Sequence, residues 1–359
     1  MTTAIPTDGH PVPSAAADAP VFETIGFTAR DGWALNLKHL TPAPKPTRGP
    51  VLMVAGTGTR ANLFNPPTPK TLPMMLHTHG FDVWALNWRS SIDLPAVPYT
   101  LDDAAVLDMP AAVDEVRRRT EADTVKAVIH CQGSCAFMMA ITAGLLPGVS
   151  VVISNSSALH PIMPRMARVK LPLAVGLLAR RVATINPQWG IHAPRVWPKL
   201  LDATIRATHH ECRNSVCKHC SFIYGWGFPT LWRHENLSEA THEWIRGEFG
   251  QVPMTYYDHI ADCSAAGEMV STGKYAELPM LFTTQAPCTD ARFVFMTGDR
   301  NQTFLPVGMG RTYEYFDRYA PGRHTYQKIA NYGHLDVFLG QNAHEDVFPF
   351  IIDELSKSC

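Results

Sequence analysis

VKAVIHCQGSCAFMMA, residues 125–140, begins as a buried β-type run and becomes a helix former with no loop between the two. A strand that turns this sharply into a helix presents the residue at the apex, as in a nucleophile elbow. The apex here is Cys131. Small residues must stand beside it, because the turn is strained and the helix packs back on the strand. Gly133 and Ser134 meet that need on one side. On the other, Ile129 stands where Gly or Ala is usual. A thiol at a helix N-terminus meets free N–H groups and the positive end of the helix dipole, which favour the thiolate. The competing reading is a small inert cysteine in a strand-to-helix turn.

The same alternation extends outward from this stretch. The runs VLMVA (51–55), DVWALNW (82–88), VKAVIH (125–130) and VSVVIS (149–154) are separated by the helix-like segments 69–79, 103–119 and 132–146. Buried β runs alternating with helices imply a doubly wound, mostly parallel sheet in an α/β fold. Two earlier segments, 21–29 and 33–40, flank Asp31-Gly32 and predict a hairpin. The alternation stops at about 156 and resumes at RFVFMTG (292–298), followed by a helix at 308–319, a strand at 323–329 and a last helix at 341–356. The organisation read from this is a flexible tail at 1–20, a core at 21–155 and 289–359, and a helical lid at 156–288.

Composition narrows the function. The 359 residues carry 31 basic and 32 acidic side chains, a net charge of −1, so no overall field attracts nucleic acid. No run approaches the roughly 18 apolar residues of a membrane span, so no stable membrane insertion is expected. The N-terminus lacks the basic and apolar regions of a signal peptide. Eight cysteines without an export signal point to a reduced, cytoplasmic protein.

Three further loops fit the elbow. Gly56-Thr57-Gly58-Thr59 follows the first buried strand, where a backbone N–H can meet an oxyanion. The amides of Thr57 and Gln132 are the candidate pair. Asn331-Tyr332-Gly333-His334 lies between the last strand and the last helix, placing His334 as the candidate base. After strand 292–298 the chain reads Gly298-Asp299-Arg300-Asn301, and Gly-x-x-Asp spacing puts Asn301 in the orienting position. An Asn fixes the imidazole tautomer without adding charge, which a thiol nucleophile tolerates better than a hydroxyl. Asp299 and Asp336 are the alternative partners.

The order of elbow, insertion, acid loop and histidine loop resembles the α/β-hydrolase superfamily. VLMVAGTGT, GFDVWALNWR, HCQGS, MTGDRNQTFLP and NYGHLDVFLGQNAHEDVFPFI resemble its acid-lipase-like branch, and in particular the hydrolase-like segments fused to cholesterol-oxidase-type flavoproteins, whose elbow likewise reads His-Cys-x-Gly. The resemblance covers about residues 21–359, with the insertion matched most loosely. It implies acyl chemistry on hydrophobic esters, thioesters or lactones through an acyl-Cys131 intermediate. Hydrolysis is the first expectation and acyl transfer or lactone formation the alternative. A degenerate fold that binds an apolar ligand is the reading from another class. No Gly-x-Gly-x-x-Gly fingerprint is present. No cofactor is called for, none of the site residues is assigned to a metal, and the partner expected is a small hydrophobic acyl substrate.

Within the insertion, residues 158–185 are apolar and basic and read as a pocket wall or as an ordinary amphipathic cover. FIYGWGFPTLWRHENL (222–237) is dense in aromatics. His209-His210-Glu211-Cys212-x4-Cys217-x-His219-Cys220 looks metal-like but lacks a fourth partner at standard spacing, which leaves a zinc site, a disulfide or plain thiols. Cys135, one turn beyond Cys131, reads as core filler rather than a resolving thiol.

Overall fold

The computed structural model describes residues 20–225 and 230–357. The predicted tail therefore lies, apart from Pro20, outside the described residues, as do four residues of the aromatic stretch 222–237. The sheet has eight strands: β1 (Val21–Thr28), β2 (Ala34–Thr41), β3 (Pro50–Val54), β4 (Asp82–Asn87), β5 (Val125–His130), β6 (Val149–Asn155), β7 (Arg292–Gly298) and β8 (Thr325–Ile329). Their spatial order is β1-β2-β4-β3-β5-β6-β7-β8. The hairpin β1–β2 is antiparallel and joins β4 antiparallel, while every other neighbouring pair is parallel.

The central strands are apolar on both faces because both faces are covered. Leu52 and Val54 of β3 pack with Ala127 and Ile129 of β5 and with Phe293 and Phe295 of β7 in one core. That side is closed by helix α1 (Met109–Thr120) and helix α2 (Cys131–Thr142). The intervening residues Val51, Met53, Val128, Val294 and Met296 point to the other face. There they meet helix α3 (Leu72–Thr78) and the C-terminal helix α4 (Phe348–Ser356). Each such side chain contributes about 1.5–3 kcal/mol by leaving water.

Two expectations need correction. The last helix is not continuous over 341–356: a short helix Ala343–Asp346 is followed by α4, with a break at Val347. The insertion also holds a two-residue antiparallel pair, Thr184–Ile185 with Val252–Pro253, where no strand was expected. Its helices include α5 (Arg165–Leu178), α6 (Val196–Thr208), α7 (Ser215–Tyr224), α8 (Glu239–Trp244) and α9 (Met254–Ala266). Among the described residues no helix is long and apolar enough to cross a membrane.

Strand order places the site. β4 and β5 flank β3 on opposite sides, so the chain leaves β3 and β5 in diverging directions. In an open parallel sheet such a switch point opens a crevice at the C-terminal strand ends. Gly56–Gly58 and Cys131 emerge together there, because Val54 and Ile129 are register partners.

Candidate active site

Cys131 is the first residue of α2 and has φ +54°, a left-handed backbone that a non-glycine residue adopts only when its surroundings enforce it. The enforcing contacts are visible. A Cβ on Gly133 would be driven into the Ala55 carbonyl oxygen, so the helix can press against β3 only with glycine there. Ile129, the departure from the usual small residue, is accommodated because its side chain is buried in the α1–α2 core.

Gly56 faces the thiol directly: a Cβ there would stand 3.0 Å from Cys131 Cβ and 3.3 Å from Sγ. The loop that follows is fixed by its own bonds. Thr59 Oγ1 donates to the Gly56 carbonyl at 2.8 Å, Gly58 N donates to Ser90 Oγ at 3.3 Å, and the Thr57 and Tyr99 hydroxyls are 2.9 Å apart. Thr57 and Gln132 are both buried beside the apex. The two expected oxyanion donors therefore belong to loops that meet at Cys131.

His334 reaches the same place from the far side of the sheet. A ring nitrogen of His334, a ring nitrogen of His130 and the Cys131 sulfur all lie within 4.8 Å of one another. Its backbone is clamped: Ser156 Oγ donates to the His334 carbonyl at 3.0 Å, and Leu335 N donates to the Leu231 carbonyl at 2.7 Å. Both ring nitrogens are buried without a hydrogen-bond partner. The ring packs between His130 (centroids 4.7 Å apart) and Phe304 (5.9 Å).

The expected bond from Asn301 to this ring is not made. Asn301 Oδ1 accepts from the amides of Thr303 and Phe304 at 3.0 and 3.2 Å, and Nδ2 donates to Thr297 Oγ1 at 3.3 Å. The residue is spent on a turn, as short Asn side chains often are. The alternatives are also committed elsewhere. Asp299 Oδ1 accepts from Asn331 N at 2.8 Å. Asp336 accepts from Gly333 N at 2.9 and 3.0 Å and from Asn236 Nδ2 at 2.6 Å, and it builds the histidine loop rather than touching the ring.

The residue that sequence reasoning left without a role is His130. Asn155 Nδ2 lies 2.8 Å from His130 Nδ1, and an amide donating there leaves the imidazole proton on Nε2, which is buried without a hydrogen-bond partner. Its sequence signals are its place just before the apex and the His-Cys-x-Gly reading of the elbow. Cys135 behaves as expected: it is buried, with its sulfur 3.0 Å from Ser157 Oγ and 3.2 Å from the Ala158 carbonyl oxygen.

Electrostatically the site rests neutral. Burial pushes the Cys131 thiol up to about 12, against a smaller lowering by the Gln132 amide. Burial pushes the His334 imidazole down to about 3. His130 is pushed well below its ordinary value by burial and then by His334. The helix-terminus argument for a free thiolate therefore loses to desolvation, which disfavours every charged form here.

Next to the thiol lies a cavity of about 40 Å³ whose lining is mostly apolar or aromatic, Met163, Leu171, Ile223, Tyr256 and Phe304 among it, with Lys170 as its charged member. A second, of about 20 Å³, lies among Gly56, Thr57, Cys131, Leu231, Phe249 and His334. A much larger cleft of about 590 Å³, bordered by Arg60, Tyr99 and Gln251, does not include the thiol and shares Phe249 with the small chamber.

No family model matches the sequence. A protein of Schizosaccharomyces pombe named as a probable lipase is 22% identical over 307 residues, 80% of this chain. The match spans 65% of that protein's own length. Among solved structures, a lipase in its open form aligns over 93% of this chain and 98% of its own at TM-score 0.55 and 13% identity. An esterase from Exiguobacterium antarcticum aligns over 92% and 99% at TM-score 0.54 and 14% identity. A putative aryl esterase from Burkholderia cenocepacia aligns over 93% and 100% at TM-score 0.54 and 11% identity. With the switch-point crevice, the elbow and the histidine loop on one sheet edge, the chain has the α/β-hydrolase fold.

Proposed function

We propose that this protein is a cysteine-dependent acyl enzyme that hydrolyses a hydrophobic ester or thioester. The observation that carries the reading is Cys131, held in a left-handed elbow at a helix N-terminus with His334 converging on its sulfur. As a substrate carbonyl enters, the thiol sulfur attacks carbon while its proton passes to His334. The amides of Thr57 and Gln132 take the developing oxyanion. Collapse of that intermediate expels the alcohol or thiol with the proton from His334 and leaves acyl-Cys131. His334 then activates water to release the acid.

The resting neutrality of the pair means that proton transfer accompanies attack rather than preceding it, as in serine enzymes. Asn301 serves as a positioning residue through the turn that carries Phe304 to the imidazole. The insertion acts as a lid whose apolar wall receives the acyl chain. Acyl transfer or lactone formation is favoured instead if the chamber stays closed over the acyl-enzyme, since 20–40 Å³ admits only a few waters.

Intact-mass spectra of wild type and Cys131→Ala, after brief exposure to a chain-length series of aryl esters and acyl thioesters, test the proposal. A transient acyl adduct on wild type alone supports it. Turnover that survives in Cys131→Ala overturns it. Absence of both adduct and turnover moves the reading to an apolar-ligand binder.

A further inference from the structure

Away from the sheet edge, the insertion gathers four side chains with no part in the chemistry above. The sulfurs of Cys212 and Cys217 and one ring nitrogen each of His234 and His242 all lie within 4.8 Å of one another. We propose that these four residues hold a structural zinc ion.

The distances have the right size. Zinc bound tetrahedrally at about 2.3 Å to sulfur and 2.0–2.1 Å to nitrogen has ligand–ligand edges of about 3.6 Å for S···N and 3.3 Å for N···N. Cys217 Sγ lies 3.4 Å from His234 Nε2, and His234 Nε2 lies 3.2 Å from His242 Nε2. Two thiolates and two neutral imidazoles also cancel the charge of a divalent ion, so the loaded site is neutral and suits its half-buried position. Two sulfurs and two imidazole nitrogens in a tetrahedron select zinc over calcium or magnesium.

The scaffold around the ligands is prebuilt. Asn214 caps α7: its Oδ1 accepts from Cys217 N at 3.1 Å, while its Nδ2 donates to the His242 carbonyl at 2.6 Å. One side chain thus fixes the backbone of two ligands on different elements. The neighbours that made the sequence look metal-like lie outside the set. His219 Nε2 pairs with Asp202 Oδ1 at 3.1 Å, His210 Nε2 bonds the Ala207 carbonyl, and Cys220 is buried in the core. The missing partners come from 17 and 25 residues beyond Cys217, at a spacing no standard finger uses. The ion would cross-link the start of α7, the turn His234–Asn236 and α8. Tyr224 and Leu231, which border the cavities beside the thiol, lie in the span it closes.

The test uses the full chain, purified without chelator. Metal analysis should find one zinc per chain, and exchange into cobalt(II) should give the intense visible bands of a tetrahedral site with thiolate-to-metal charge transfer. Cys212→Ala and His242→Ala should lose the bound metal, whereas Cys220→Ser should keep it. The proposal is overturned if wild type carries no zinc and the chelated protein takes up no cobalt. It is equally overturned if denatured wild type shows two of its eight thiols tied up in a Cys212–Cys217 disulfide, or if His242→Ala retains full metal with the same cobalt spectrum.

Discussion

Gly56 and Cys131 approach so closely that a single methyl group placed on the glycine would stand 3.3 Å from the sulfur. The strand that ends in the proposed oxyanion loop and the strand that ends at Cys131 are therefore fitted to each other at the apex. Gly56→Ala should shift Thr57 away from its productive position and cost on the order of 10²–10³ in kcat, the usual loss of one oxyanion donor. Thermal melting should change little by comparison. A variant with unchanged kcat toward aryl esters would dissociate this loop from the chemistry.

The pH dependence carries a definite sign. Burial lowers the His334 pKa to about 3, so the base is already neutral at mildly acid pH. The acid limb of kcat/KM should sit well below 6.5, with no inflection near neutrality. Stability runs in the same direction. Between the unfolded value near 6.5 and the lowered folded value, only the unfolded state takes up the proton, so stability falls as pH drops through this window and is fully restored above it. Melting temperatures measured from pH 7 to pH 4 check this, and His334→Gln should flatten the slope.

Asn301 offers a discriminating substitution. Asn301→Asp keeps an acceptor for the Thr303 and Phe304 amides and for a rotated Thr297 hydroxyl, so the turn should persist. Because Asn301 does not bond the imidazole, the acid limb of the rate profile should stay where wild type has it. A limb moved toward neutrality would mean that the new carboxylate reaches His334 during turnover.

Arg89, at the border of the large cleft, forms a buried ion pair with Asp108. Arg89 Nε lies 3.0 Å from both Asp108 oxygens, Nη2 lies 2.6 Å from Oδ1, and Arg89 N donates to Oδ2 at 2.9 Å. Asp108→Ala leaves the buried guanidinium with only Asp31, whose Oδ2 lies 3.2 Å from Nη2, and should destabilise by about 3 kcal/mol, the low end for breaking a buried pair. Denaturant unfolding measures this, and a loss below about 1 kcal/mol would mean that Asp31 alone suffices to neutralise Arg89.

Much of this was legible in the chain. Leu52, Ala127 and Phe293 sit in near-continuous apolar runs, the mark of strands covered on both faces, so the sheet and its order of loops could be read directly. Cys131, Gly133 and His334 were legible because their positions follow from strand–turn–helix grammar. The orientation of Asn301 was not. Whether Asn301 turns its amide to the ring or to the next two backbone N–H groups depends on a few degrees of loop geometry, which residue spacing does not encode. The charge state of Cys131 escaped for a similar reason: helix-end stabilisation is local and visible in sequence, whereas desolvation comes from residues brought in by the tertiary fold. His234 and His242 were unreadable as partners of Cys212 because they stand on two other elements, a short turn and α8, 22 and 30 residues further along the chain.

Ser156 stands at the root of the insertion with φ +69°, its amide bonded to Met296 and its hydroxyl to the His334 carbonyl. Six residues on, the Ile162 carbonyl accepts from Leu305 N at 2.7 Å, and Gly308 packs under His160. The first seven residues after β6 are thus stitched to the frame that carries the base. In a chimera, a foreign cap should be spliced after Ile162, so that the host keeps the stitches and, with them, the alignment of its own imidazole.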